Sequence, residues 1–157
     1  MLASFARVRE EIAFPGGAER ITHDAFYSLQ GPRALFDWYS AQENGPIPRI
    51  LDADDLMKDR AILKKLCSDV GLDPDSVLYE WEERQDPDDA MMRTMLSTVN
   101  HSKGIVPGLD AEGLSIDEEA IKWRETFGEK DGNDLATMVR AAMPVYEYLY
   151  SRRFTAA

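Results

Sequence analysis

The run STVNHSKGIVPG at 97–108 puts a histidine, a serine, a lysine and a glycine side by side at 101–104. Two kinds of chemistry suit those residue types. His101 could serve as a general acid or base, the usual role of a catalytic imidazole, and Lys103 could bind an anion or polarise a carbonyl. Ser102, Lys103 and Gly104 together have the make-up of an anion-binding turn. The same residues also fit a helix C-terminus, where His and Lys complement the helix dipole and Gly104 turns the chain. Residue types alone leave both open. His23, in ITHDAF, is a second acid–base candidate beside Asp24. Adjacent helical residues do not face each other, so capping a helix start competes with that role.

Other chemistry is sparse. Asp52-Ala53-Asp54-Asp55 and Asp86-Pro87-Asp88-Asp89 carry carboxylates but lack the glycine and closing glutamate of a calcium loop, so helix capping accounts for both and no metal site is expected. Cys67 is the only cysteine, which excludes an internal disulfide and a cysteine-based zinc site. It falls on an apolar helix face and reads as a buried small hydrophobe. Tyr27, Trp38, Tyr39, Met95 and Tyr146 are candidates to line an apolar pocket, although such residues more often form core.

These candidates sit in a chain of 157 residues, the length of one domain, 1–157. Hydrophobic residues make up 44% and aromatics 10%, enough to require a core. The net charge of −11 repels phosphate backbones and anionic lipid, so neither nucleic acid nor a membrane surface is an expected partner. The opening MLASFARVREE is a short amphipathic pattern unlike a secretion signal, and no apolar run reaches the length of a membrane span. A cytoplasmic location is the expectation.

The elements that must position the candidates are mostly helical. Phe5, Val8 and Ile12 mark a helix over 3–13, and Phe26, Tyr27 and Leu29 a second. A helix is predicted over 32–42, with Pro32 in its first turn. Residues 49–52 carry the only strand signal. Helices follow at 59–70, closed by Gly71, at 73–81, at 87–100, at 115–127 behind a Ser-x-x-Glu capping box, and at 133–142. Pro144 opens a last Tyr-rich segment. A lone strand has no partner for its backbone groups, each of which costs on the order of 1–3 kcal/mol if buried unpaired.

Five blocks then form a pattern: LFDWY, ILDADDLM, KLCSDVGLDPDSVLYEWEE, STVNHSKGIVPG and KWRETFGEKDGNDLATMVRAAMPVYEYL. In this order, and across nearly the whole chain, they resemble the later half of the fungal sulfotransferase-like P-loop proteins. The resemblance implies an α/β origin and an adenosine nucleotide carrying activated sulfate. It implies that Ser102-Lys103-Gly104 corresponds to a 3′-phosphate loop of Arg-Lys-Gly type, and Ser4 to a serine following an Arg-x-Pro stretch. No G-x-x-x-x-G-K-[ST] occurs in the chain, and serine stands where the arginine fork of the later loop belongs. The family's usual catalytic histidine would fall before Met1.

The combined expectation is a mainly α fold, the helical remnant of a P-loop α/β architecture with at most a minimal β element near 49–52. The function expected is a small cofactor-independent enzyme of secondary metabolism that cyclises, isomerises or dehydrates an apolar small molecule. His101, Lys103 and His23 would be its polar handles. The alternatives are a non-catalytic small-molecule-binding or assembly protein, and a sulfotransferase fragment that needs a P-loop half. No cofactor is expected. Helix packing without a sheet also favours self-association, a dimer in the simplest case.

Overall fold

The computed structural model describes residues 29–155. The predicted helix over 3–13, the segment around Phe26, and the candidates Ser4, His23 and Tyr27 lie outside them. Among the described residues the fold is mainly α: α1 (Gln30–Ser40), α2 (Ala53–Lys58), α3 (Ala61–Asp69), a 3-10 turn (Pro74–Ser76), α4 (Ala90–Asn100) and α5 (Ile116–Tyr150). There is no sheet among them, only one isolated antiparallel bridge between Glu80 and Gly104.

Local chemistry sets most boundaries. Pro32 lies in the first turn of α1, where its missing N–H leaves no gap in the helical ladder. The Asp52 carboxylate caps α2 by accepting from the Asp54 N–H at 3.0 Å. Asp59 breaks the predicted 59–70 helix at its start; its carboxylate accepts from the Ala61 N–H at 2.9 Å as α3 begins. Gly71, with φ 77°, closes α3 as expected. The Gly71 N–H reaches the Ser68 carbonyl at 3.3 Å and the Leu72 N–H the Cys67 carbonyl at 2.8 Å, a Schellman pair. Asp89 caps α4 by accepting from the Met92 N–H at 2.8 Å, which puts Pro87 outside the helix. Cys67 is half-buried.

Several expectations need correction. Residues 49–52 are extended chain and not a strand; the Ile50 carbonyl is satisfied by the Phe154 N–H at 2.7 Å, and the minimal β element lies instead at Glu80–Gly104. The predicted helix over 73–81 is a single 3-10 turn. Beyond it the chain pairs with the loop after α4, with the Trp81 N–H on the Lys103 carbonyl at 3.1 Å and the Arg84 N–H on the Asn100 carbonyl at 2.8 Å. That tertiary pairing overrides the helical pattern. Ser115 occupies the N-cap of α5, but its side chain makes no capping bond.

The largest element is a helical hairpin. Gly128 (φ 80°, ψ 164°) breaks α5 into arms 116–127 and 129–150. The arms fold back on each other. Gly132 faces the backbone of Arg124, Arg140 pairs with Asp117 at 2.5 Å, and Phe127 and Leu135 form a buried cluster with Trp123 and Met138 against it. Helix continues straight through Pro144 rather than restarting there. The end of the second arm is the hub of the molecule. Val145 and Leu149 are buried, the Tyr148 hydroxyl donates to Asp37 of α1 at 2.5 Å, and Arg153 pairs with Asp55 of α2 at 2.6 Å.

Candidate functional site

The predicted cluster at 101–104 is built at the end of α4 against residues 80–86. His101 is the C-cap of α4, and its Nε2 lies 3.3 Å from Asp86 Oδ2. Lys103 Nζ lies 3.4 Å from Glu83. The Ser102 hydroxyl donates to the Val99 carbonyl at 2.7 Å and accepts from the Trp81 indole N–H at 3.1 Å. Gly104 makes the bridge to Glu80, and a Cβ there would sit 3.0 Å from the Tyr79 carbonyl oxygen. Buried Asn100 donates to Asp86 at 3.2 Å, so Asp86 holds both the end of the helix and His101. Each polar group of the turn thus has a partner within the chain, and a carboxylate attends both His101 and Lys103.

The predicted pocket residues are spread over separate surfaces. Tyr39 lines a shallow hollow between α1, the 46–51 segment and Leu149, and with Trp38 it borders a second hollow over 41–46. Met95 is exposed on α4 and lines neither. Tyr146 lines a different cleft, of about 510 Å³, between α2, residues 111–116 and both arms of α5.

That cleft is the best-formed candidate site. Leu114, Ile116, Trp123, Val139 and Met143 form its apolar wall. The hairpin accounts for this wall, because the fold at Gly128 brings Trp123 of one arm beside Val139 and Met143 of the other. Asp52, Asp54, Lys58, Glu112 and Glu119 supply its polar side. Tyr146 and Tyr150, four residues apart on one helix face, close the end near α2 with ring centroids 5.5 Å apart. The Tyr146 hydroxyl donates to Asp52 Oδ2 at 2.9 Å. Burial, and after it the neighbouring Asp52 carboxylate, push the Tyr146 hydroxyl well above the ordinary phenol range. Asp54 accepts the Ala111 N–H with both oxygens, at 3.1 and 3.0 Å, which fixes the 111–114 loop on the start of α2. Lys58 pairs with Glu112 across the opening at 2.8 Å.

Residue types flagged the aromatics Trp123, Tyr146 and Tyr150 but not the carboxylates beside them. Asp52 and Asp54 read as caps, and Asp52 is one. The signal for a second duty lay in the acidic run ILDADD together with two tyrosines at i, i+4 in PVYEYLY, but the 94-residue separation between Asp52 and Tyr146 hid the pairing.

Comparison with known proteins supports the resemblance carried by the five blocks. The chain is 32% identical over 160 residues to the sulfotransferase ppzF of Metarhizium rileyi, covering 89% of this chain and 46% of that protein. It is 31% identical over 160 residues to the sulfotransferase ppzF of Metarhizium majus, with the same coverage. No family model matches the chain, and no solved structure matches it. Among the described residues no helix is long and apolar enough to cross a membrane. The chain is therefore sulfotransferase-like in sequence along most of its length, and it spans about half the length of the curated relatives it matches.

Proposed function

We propose that the chain binds an apolar small molecule in the cleft between α2, residues 111–116 and the two arms of α5, and acts on it without a cofactor. The observation that carries this is the composition of the cleft: an apolar wall from both arms ending in one hydrogen-bonded Tyr146–Asp52 pair. A pocket of that kind buries the body of a ligand and orients its polar end. The chemistry the pair can offer unaided is proton transfer. The Asp52 carboxylate would take a proton from the substrate and return it at a second position, to carbon in an isomerisation, to the departing hydroxyl as water in a dehydration, or to the acceptor atom in a cyclisation, while the Tyr146 hydroxyl turns from Asp52 to donate to the developing negative charge. His101 and Lys103 are outside this cleft, so in this reading they organise the loop after α4.

A second reading is favoured by the relatives named sulfotransferases, each about twice the length of the matched region. In it the same cleft is the acceptor pocket of a sulfotransferase, and the nucleotide site comes from sequence outside this chain. One titration separates the two. With Trp38→Phe and Trp81→Phe in place, Trp123 is the sole tryptophan and reports on the cleft. A neutral aryl alcohol is expected to change its fluorescence saturably, and Trp123 in a Met143→Glu variant is expected to respond at least about tenfold more weakly. No saturable response sinks the cleft as a binding site. Saturable binding of adenosine 3′,5′-bisphosphate by this chain alone would overturn the cofactor-independent reading in favour of the second.

A further inference from the structure

Resting on that cleft reading, we infer that the molecule it takes is a cation: an organic amine, bound as its ammonium, on an apolar or aromatic body. Four carboxylates face the cleft, Asp52, Asp54, Glu112 and Glu119, against one ammonium, Lys58. The way each is partnered decides the balance. Lys58 is tied to Glu112 at 2.8 Å, and Glu119 is answered from outside the lining by Lys122 at 2.5 Å. Among the described residues Asp54 receives only a backbone N–H, from Ala111. Among them Asp52 receives only neutral donors, the Asp54 N–H and the Tyr146 O–H. Arg153, whose charge Asp52 also feels, is committed to Asp55 at 2.6 Å. Two carboxylates therefore face an apolar cleft with hydrogen bonds but no ion pair of their own among the described residues.

The ring geometry points the same way. Ring faces are negative and attract cations. Tyr150 already carries the Arg153 guanidinium 3.6 Å from its centroid, and Tyr146 stands beside it with Asp52 at its hydroxyl. An ammonium entering next to Asp52 meets that carboxylate and Tyr146, at the end of a cleft that Tyr150 and Trp123 also line. It forms an ion pair there, where an alcohol forms only a hydrogen bond to the carboxylate. A carboxylate, sulfate or phosphate ester on the same body meets like charge and is excluded.

The test compares three ligands of one shape: 4-phenylbutylamine, 4-phenylbutanol and 4-phenylbutyrate, each titrated into the full chain by calorimetry. The amine is expected to bind at least about tenfold tighter than the alcohol, and the butyrate more weakly than either. Asp52→Asn should weaken the amine severalfold more than the alcohol, because asparagine Oδ1 still caps α2 and its Nδ2 can donate to the Tyr146 oxygen while the charge is gone. Circular dichroism of that variant checks that the helices remain. Glu43→Gln, an exposed charge that lines a different hollow, removes the same unit charge and should leave the amine preference intact. Equal affinity of amine and alcohol in the parent chain overturns the inference and leaves the cleft reading standing. A preference that survives Asp52→Asn but falls with Glu43→Gln reduces it to the general attraction of an acidic protein, which also overturns it. Failure of all three ligands to bind sinks both.

Discussion

At the scale of single residues, Tyr146 joins stability to the candidate site. Its hydroxyl ties the second arm of α5 to the cap of α2, and burial together with Asp52 holds its proton more tightly than in the unfolded chain, where a tyrosine titrates near pH 10. The sign follows from which state keeps its protons. Above about pH 10 the unfolded chain gives up this proton while the folded chain retains it, so folding loses ground as pH rises, and below that the contribution is whole. Urea midpoints measured from about pH 8 to about pH 10.5 should therefore fall more steeply for the parent chain than for Tyr146→Phe, which at neutral pH should cost about 1 kcal/mol. Parallel slopes would show that the hydroxyl is not shielded. The sequence flagged Tyr146 as lining and Asp52 as a cap, and Asp52 does cap α2. It could not join them, because a bond across 94 positions leaves no local trace. The cluster at 101–104 is the opposite case. His101 closing α4 is a matter of neighbours along the chain, so the capping alternative was visible beforehand, while Asp86 and Glu83 as partners were not.

At the scale of elements, the hairpin of α5 depends on two glycines for different reasons. Gly128 takes φ 80° and ψ 164°, a backbone region that is essentially glycine's alone, yet nothing lies within 4 Å of where a Cβ would point. Gly132 is helical, but a Cβ there would sit 2.5 Å from the Arg124 backbone nitrogen and 2.6 Å from its Cα. Backbone cannot swing aside as a side chain can. Gly132→Ala should thus destabilise by about 2–3 kcal/mol through overpacking, although alanine is the better helix former by about 1 kcal/mol. Gly128→Ala should cost about 1–3 kcal/mol through strain alone. Urea denaturation checks both, and a Gly132→Ala chain as stable as its parent would mean the arms are not in backbone contact. The break after Phe127 was legible, since a glycine follows an amphipathic run with a capping residue at its start. The continuity through Pro144 was not. Proline normally ends a helix; here buried Val145 and Leu149, Tyr146 on Asp52 and Tyr148 on Asp37 hold the turns that follow. Tyr148 is gripped further by Arg33 and Arg152 over its ring, at 4.2 and 3.7 Å. Side-chain ties of this sort outweigh a backbone preference, and only the tertiary arrangement displays them. The strand signal at 49–52 failed for a related reason: extended backbone needs a hydrogen-bond partner, and the Phe154 N–H supplies one without a sheet.

At the scale of the whole molecule, two forces act on a neighbouring copy. The net charge of −11 pushes copies apart over a distance set by salt, and the apolar side chains left outside the core draw them together once they touch. Val99 and Met95 on α4 are 61% and 46% exposed, and Leu78 on the adjoining segment is 78% exposed. Among the described residues these side chains are left largely uncovered, and the bridge at Glu80–Gly104 joins the segment that carries Leu78 to the loop after α4. The surface ion pairs beside them, Lys103–Glu83 and His101–Asp86, are exposed enough to contribute little to any one copy's stability. Screening should accordingly release the attraction. Sedimentation velocity is expected to show one slow species at about 20 mM NaCl and a faster, concentration-dependent species at about 500 mM, where the screening length falls to a few ångströms. Met95→Glu adds charge to the apolar face without touching the core, and it should hold the protein in the slow species at both salts. If the faster species forms equally in Met95→Glu, the face on α4 is not what joins the copies. If it forms only at low salt, opposite charges are the glue and the −11 surface is patterned rather than uniformly repulsive.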